Sequence, residues 1–473
     1  MAMTALLLVA AVLGQDVGSL KAEVIRQVEN LQPRIEETCD LLWEWAEPAL
    51  QEHKSAAHLK GVLKAAGFRI ESGVAGLPTA FVASWGTGSP VLGILAEYDA
   101  LPGVSQAATT ERRALVKDGA GHGCGHNVFG AGSLGAALAL RQVMADHGLS
   151  GTIRLFGCPA EETGVGKLFM ARAGVFDGLD ACLHWHPGLQ TLTDTKTWLS
   201  VNSFTVEFYG QAAHAALDPW NGRSALDAVE VMTTAVNLYR EHIRPEARIH
   251  YVIADGGRVP NVVPDYAKVW FYVRDPAKNR VDVMYKRLQE MAEGAALATA
   301  TTHKVVLKSG LNGILHNQPL IDAIQANLVR VGAPSWDEKE TAFARGVQES
   351  VGVPVEGLSE VIEPLQPIGS LVLSGSTDVG EVSLITPLAG FWVTSAGRGL
   401  PWHSWASTAC HGTTIGHKSA LVAAKVMACT GVDILVDQDL RERSRAAFRR
   451  GTGGLPYTSP LPADTPAPRV GQH

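Results

Sequence analysis

Three apolar runs constrain this chain more than any other feature. PVLGILAEYDAL (90–101), GTIRLFGC (151–158) and LDACLHWHP (179–187) are short and nearly continuous in apolar residues. Runs of that kind suit strands buried on both faces. VFGAGSLGAALALRQVMADHG (128–148) lies between the first two, and PAEETGVGKLFMARAG (159–174) follows the second. Both read as helical. Strand, helix, strand, helix, strand predicts an α/β fold with a mixed, largely parallel sheet flanked by helices. The first of these helices is rich in Gly and Ala, which predicts close packing against its neighbours.

The pattern before and after these runs sets the domain plan. Residues from Ser19 to Phe68 repeat apolar side chains at helical spacing. After Trp198 the order changes to VNSFTVEFYG, a helix, ARIHYVIADGG, AKVWFYVRD, a second helix and HKVVLKSG. That β-α-β-β-α-β order predicts an inserted ferredoxin-like α+β domain over 198–312. The catalytic domain is then 17–197 plus 313–450. Past Pro319 helix and strand alternate again, through LVLSGSTDVGEVS and FWVTSA to a closing helix. Residues 451–473 are rich in Pro and Gly and predict an extended tail.

Bulk properties exclude several functions. With 46% hydrophobic and 18% charged residues the chain can bury a large core. A net charge of −7 gives no footprint for nucleic acid. Six dispersed cysteines do not form a disulfide framework. The start, MAMTALLLVAAVLGQD, has an apolar run too short to span a bilayer, and residues 1–16 resemble a secretory signal that lacks its usual basic start. On that pattern the protein leans toward export. No later segment reads as transmembrane.

The chemistry collects at the ends of the three strands. GHGCGHN (121–127) follows the first and holds Cys124 and His126; Glu161 and Glu162 follow the second; His184 and His186 end the third. His403 stands later, in PWHSW. Open α/β sheets bind ligands beyond the carboxyl ends of their strands. Each group alone has a plain structural reading: a glycine turn, acids opening a helix, strand-end histidines or a surface loop. Their coincidence on one rim points to a cluster of thiol, imidazole and carboxylate suited to divalent metal.

At these residues the sequence resembles the dinuclear-metal amidohydrolases related to aminoacylases, carboxypeptidases and auxin-conjugate hydrolases. The resemblance is carried by AEYDALPG (96–103), GHGCGHN, PAEETGVGK (159–167), LHWHPG (183–188), GQAAHAALDPWNGRSALDAV (210–229), GGRVPNVVPDYAKVWFYVRD (256–275), GSTDVGEVS (375–383) and PWHSW (401–405). It lies nearest the branch that cleaves p-aminobenzoyl-glutamate, which implies amide hydrolysis of N-acyl (aroyl) amino acids by a metal-activated water. It implies two divalent ions, zinc or manganese, on Cys124, His126, Glu162, His184 and His403, with Cys124 a candidate bridge. Glu161 would be the general base and Asp99 would orient a ligand. In the inserted domain, which the resemblance makes a lid and homodimerisation unit, His214 matches a histidine that reaches the partner subunit's active site. Asn261 and Arg274 match residues that hold the substrate carboxylate or polarise its carbonyl. His122 and His186 have no settled role, and His417 reads as structural.

The branch is expected to act in the cytoplasm with a homologous A-type subunit, which conflicts with the signal-like start. It also leaves open a partner-dependent regulatory subunit, or a dipeptidase or amidase of another substrate. A cysteine nucleophile at Cys124 with His126 as base is disfavoured, because residues two apart on an extended turn point apart and neither acid would be needed.

Overall fold

The computed structural model describes residues 16–372 and 375–470. The signal-like segment therefore lies outside the described residues except for Asp16, whose carboxylate caps the first helix by accepting from Gly18 N at 3.0 Å.

Eleven strands are described: β1 (Arg69–Ser72), β2 (Phe81–Thr87), β3 (Val91–Glu97), β4 (Gly151–Cys158), β5 (Ala181–Gly188), β6 (Leu192–Thr193), β7 (Ser200–Tyr209), β8 (Arg248–Asp255), β9 (Tyr266–Asp275), β10 (Thr302–Leu311) and β11 (Leu388–Thr394). Seven form one mixed sheet in the order β1-β2-β4-β3-β5-β11-β6. Its centre, β4-β3-β5-β11, is parallel; β2 and β6 run against it at the two sides, and β1 pairs antiparallel to β2 at the edge. The three apolar runs supply β3, β4 and β5. Each is buried along most of its length, as strands covered on both faces must be.

The glycine-rich helix His126–His147 lies against this sheet and beside the helix Thr414–Val436. Its glycines are contact points. A Cβ on Gly130 would come 2.8 Å from the Glu97 carbonyl, and one on Gly132 would come 2.9 Å from the Trp185 ring and 3.0 Å from the Ala420 carbonyl. Both helices are apolar and long enough to cross a bilayer, and both are mostly buried inside the body. Helices Val17–Asn30 and Gln32–Trp45 complete this layer, with Val24, Val28, Ile35 and Leu42 fully buried.

The second sheet has four antiparallel strands in the order β10-β7-β9-β8. Helices Ala225–Tyr239 and Lys278–Thr299 pack onto it around Phe204, Phe208, Met232, Phe271 and Leu288. This is the ferredoxin-like arrangement, built from the apolar alternation of β7 and β9. The stretch LVLSGSTDVGEVS contributes the short helix Val379–Ser383, and the alternation resumes at β11.

Residues 453–470 form no helix or strand, yet they are anchored. Leu461 is buried, and Arg172 donates to the carbonyls of Pro462 at 3.1 Å and Thr465 at 2.7 Å. Tyr457 Oη donates to Glu381 Oε2 at 2.5 Å, and Asn312 donates to Glu381 through backbone and side chain. Burial pushes the Glu381 carboxyl up to about 7, against the pull of those donors. The folded chain thus holds this proton more tightly than the unfolded chain. The resulting stabilisation is fully present below about pH 4.5 and is lost as pH rises through about 7, amounting to about 3 kcal/mol at most. Melting temperature should therefore fall from pH 5 to pH 8.5, and Glu381→Gln should flatten that slope. Identical slopes for the two proteins would show that Glu381 is already ionised at pH 5.

Candidate metal centre and active site

The site forms where β3, β4 and β5 end. β3 ends at Glu97, and Asp99 follows two residues later; the two carboxylates meet opposite nitrogens of the His126 ring. The glycine turn 121–125 then leads into the helix that begins at His126. Gly125 has φ 87°, and a Cβ there would come 2.7 Å from Pro187 and 2.9 Å from the His411 ring, so this turn closes only on glycine. His122 serves the scaffold. It is fully buried, its Nε2 lies 2.9 Å from the Leu42 carbonyl, and burial lowers it to about 3. His417 pairs with Asp40 at 2.7 Å, away from the cluster.

Glu161 and Glu162 occupy a tight turn after β4. Ala160 before them has a left-handed φ of 56°, a conformation that costs about 1–3 kcal/mol outside glycine and collects at functional sites. The buried Glu52 carboxylate holds this turn. It accepts from Ala160 N at 2.9 Å, from Leu50 N at 2.9 Å and from Thr79 Oγ1 at 2.8 Å. Asp99 fixes the other side, accepting from Glu162 N at 2.9 Å while its second oxygen lies 2.9 Å from His126 Nδ1. A carboxylate on one ring nitrogen leaves the other free to face a ligand.

The loop carrying His403 docks onto the glycine turn. His403 N donates to the Gly123 carbonyl at 3.3 Å and Ser407 Oγ donates to it at 2.7 Å. His403 also has a left-handed φ of 56°. Its Nε2 stands 3.6 Å from Glu162 Oε2, with its side chain half exposed.

Three sets of ligand atoms converge: Cys124, His126 and His186; Cys124, Glu162 and His403; and Glu97, His126 and Glu161. Cys124 Sγ lies 3.5 Å from His186 Nε2, and His126 Nε2 lies 3.2 Å from Glu97 Oε2 and 3.9 Å from Glu161 Oε2. Of the residues expected to gather, Cys124, His126, Glu161, Glu162, His403 and Asp99 are brought together.

His184 is not among them, and this corrects the expectation. It pairs in register with Gly390 on β11, and its ring lies against that glycine. His186, two residues and about 6–7 Å further along the strand, reaches Cys124 instead. Burial lowers His184 to about 3, leaving a neutral ring inside the sheet.

Asn261, expected at the site, lies elsewhere, as does His214, which is expected at a partner subunit's site and not at this one. His214 and Asn261 are exposed on the second sheet's side, next to each other, with Ala215 N donating to the Asn261 carbonyl at 3.0 Å. Neither lines the cavity of this chain, whereas Arg274 does.

Electrostatics decide what the cluster can hold. Burial raises the Glu161 carboxyl well above its ordinary range, with Glu97 and Asp378 adding repulsion. Burial raises Glu162 to about 8 and pushes the Cys124 thiol up as well. His126 Nε2, Glu162 Oε1 and Glu97 Oε2 are buried and make no hydrogen bond within the protein, while Glu97 Oε1 meets the Lys167 ammonium. Buried polar atoms rarely stay unpaired. A thiol, imidazoles and carboxylates aimed at common points are the chemistry that divalent transition metals take. The residues present therefore fit such ions.

Beneath the cluster Lys167 is fully buried. Its Nζ lies 2.6 Å from Glu97 Oε1 and 2.5 Å from Asp378 Oδ1, and these two carboxylates hold the ammonium in its charged form against burial.

A cavity of about 620 Å³ opens above the cluster, with Cys124, Glu161, Glu162, His186 and His403 on its wall. The family model for Peptidase family M20/M25/M40 matches residues 93–349, which include Glu97, Cys124, Glu161 and His186. The chain belongs to this family. It is 37% identical over 470 residues to the B-type subunit of the p-aminobenzoyl-glutamate hydrolase of Escherichia coli K12, covering 93% of this chain and 97% of that one. It is 29% identical to the human Xaa-Arg dipeptidase, covering 91% and 92%. A dinuclear metal-binding M20 peptidase from Bacillus subtilis superposes with a TM-score of 0.56 at 21% identity, covering 84% of this chain and 99% of that one, and shares its fold. As an M20 protein with hydrolases for relatives, the chain is a metal-dependent amidohydrolase.

Proposed function

We propose that this M20 protein hydrolyses the amide bond of N-acyl amino acids, with p-aminobenzoyl-glutamate as its substrate. Cys124, His126, Glu162, His186 and His403 would hold two divalent ions, zinc or manganese. When bound, such ions lower the pKa of water and polarise a carbonyl oxygen. Glu161 stands at the cavity wall next to these donors. It would take the proton from the attacking water and return it to the leaving nitrogen. Asp99 fixes His126 and the Glu162 backbone in one arrangement. Arg274 would hold a substrate carboxylate through its guanidinium. His214 and Asn261, exposed on the insert, would serve the active site of a second subunit, which makes residues 198–312 a dimerisation and lid domain.

The observation that carries this reading is the convergence of Cys124, Glu162 and His403, drawn from three distant segments, on one cavity. The substrate comes from the 37% identical relative. That relative is one of two kinds of subunit in its hydrolase, which implies a partner, so the purified chain is assayed first alone and then with an A-type subunit.

The test is release of p-aminobenzoate. EDTA treatment is expected to abolish it, and zinc or manganese to restore it. Full activity in a preparation that retains no divalent ion would end the metal reading. Activity only in the presence of an A-type partner would end the single-chain reading.

A further inference from the structure

The cavity holds two cations, Arg274 and Lys196, that make no direct ion pair with a carboxylate among the described residues, in a chain of net charge −7. Arg274, on β9, donates to Ser376 Oγ at 3.2 Å, but its Nε is buried without a partner. Lys196 lies on the segment joining the two sheets. Its Nζ sits 4.9 Å from the centroid of the Trp392 ring.

The Lys196 perch is built rigidly. Trp392 stacks on Trp198 at 5.9 Å with an interplanar angle of 11°, and it packs on His186 at 4.8 Å. Gly188 makes room for it, since a Cβ there would come 2.9 Å from the Trp392 ring. The nearby Asp194 favours the ammonium by Coulombic attraction but forms no direct ion pair with it. Its two oxygens are used by Lys196 N at 3.2 Å and Trp198 Nε1 at 2.8 Å, so it shapes the loop instead. Burial disfavours the charged form of Lys196, a cost that a bound anion would offset.

Because His186 touches both Cys124 and Trp392, a group bound at this perch lies one ring away from the candidate metal centre. We propose that Lys196, seated on Trp392, is the subsite for a second carboxylate of the substrate, the acidic side chain of the released amino acid, while Arg274 takes the first. The inference rests on reading the cavity as the site for N-acyl amino acids. It makes the enzyme selective for dicarboxylic amino acids. A substrate ending in arginine would bring its own cation against Lys196 and be rejected.

The test compares N-benzoyl-glutamate with N-benzoyl-glutamine, which has the same shape without the second charge. Binding is measured by calorimetry on the zinc-loaded Glu161→Gln protein, so turnover is not needed. The glutamate compound should bind about 10- to 100-fold more tightly, as expected for one added charged hydrogen bond. Adding Lys196→Met should bring the ratio to within about threefold of one, and Lys196→Arg should retain most of it. Equal binding of the two compounds, or a preference that survives Lys196→Met, would overturn the subsite. If the preference behaves as expected but the wild-type chain cleaves neither compound with any metal or partner, the hydrolase reading fails and the subsite stands.

Discussion

Glu161→Gln is expected to lower kcat on p-aminobenzoyl-glutamate by about 10²- to 10⁴-fold, the range for losing a positioned general base. KM should change little, because the amide keeps the shape of the carboxylate and the donors around it remain. The expectation follows from place. Glu161 stands on a turn held by Glu52 on one side and by Asp99 on the other, facing the same cavity as Cys124 and His403. Metal content measured beside kcat separates two explanations. A variant that keeps its zinc or manganese and loses turnover has lost the proton carrier. A variant that loses the ions has lost a ligand, and Glu161 would then belong with Glu97 and His126 in holding them. Retention of activity to within tenfold would remove Glu161 from the chemistry.

Lys167→Met is expected to cost about 3–5 kcal/mol of stability, because it leaves two carboxylates buried without their cation. Both Glu97 and Asp378 are fully enclosed, so water cannot replace the ammonium. The loss is read as a shift in the urea midpoint. Adding Asp378→Asn should recover part of it, since one of the two orphaned charges is then gone. A loss below about 1 kcal/mol would mean that the acids hold protons in the wild-type fold and that the ion pair is not what stabilises them. The change should also weaken metal retention, because Glu97 reaches from Lys167 to His126.

Much of this arrangement could be read from the residues in order. Three continuous apolar runs fix three parallel strands, and the β-α-β-β-α-β pattern fixes the second sheet. Strand ends then place Cys124, Glu161 and Glu162 on one rim. Depth along a strand was not legible. His184 and His186 face the same side of β5, and only the pairing with β11 decides which of them reaches the thiol. Glu97 carried a signal, two residues before Asp99, but a strand-end acid has many ordinary uses. Lys167 and Glu52 were hidden for another reason. Their partners lie far away in sequence, at Asp378 and Ala160. A buried ion pair or carboxylate-to-backbone hydrogen bond of that kind has no local pattern. The exposed placement of His214 and Asn261 likewise has no local sign in the sequence.

Asp99 has a consequence for motion. It grips the imidazole of one segment and the peptide of another, and it stands at the end of a strand locked on both sides. When that strand breathes, both travel together like two hooks on one rail. Their spacing is then set by the reach of a single short side chain, whatever the surrounding loops are doing.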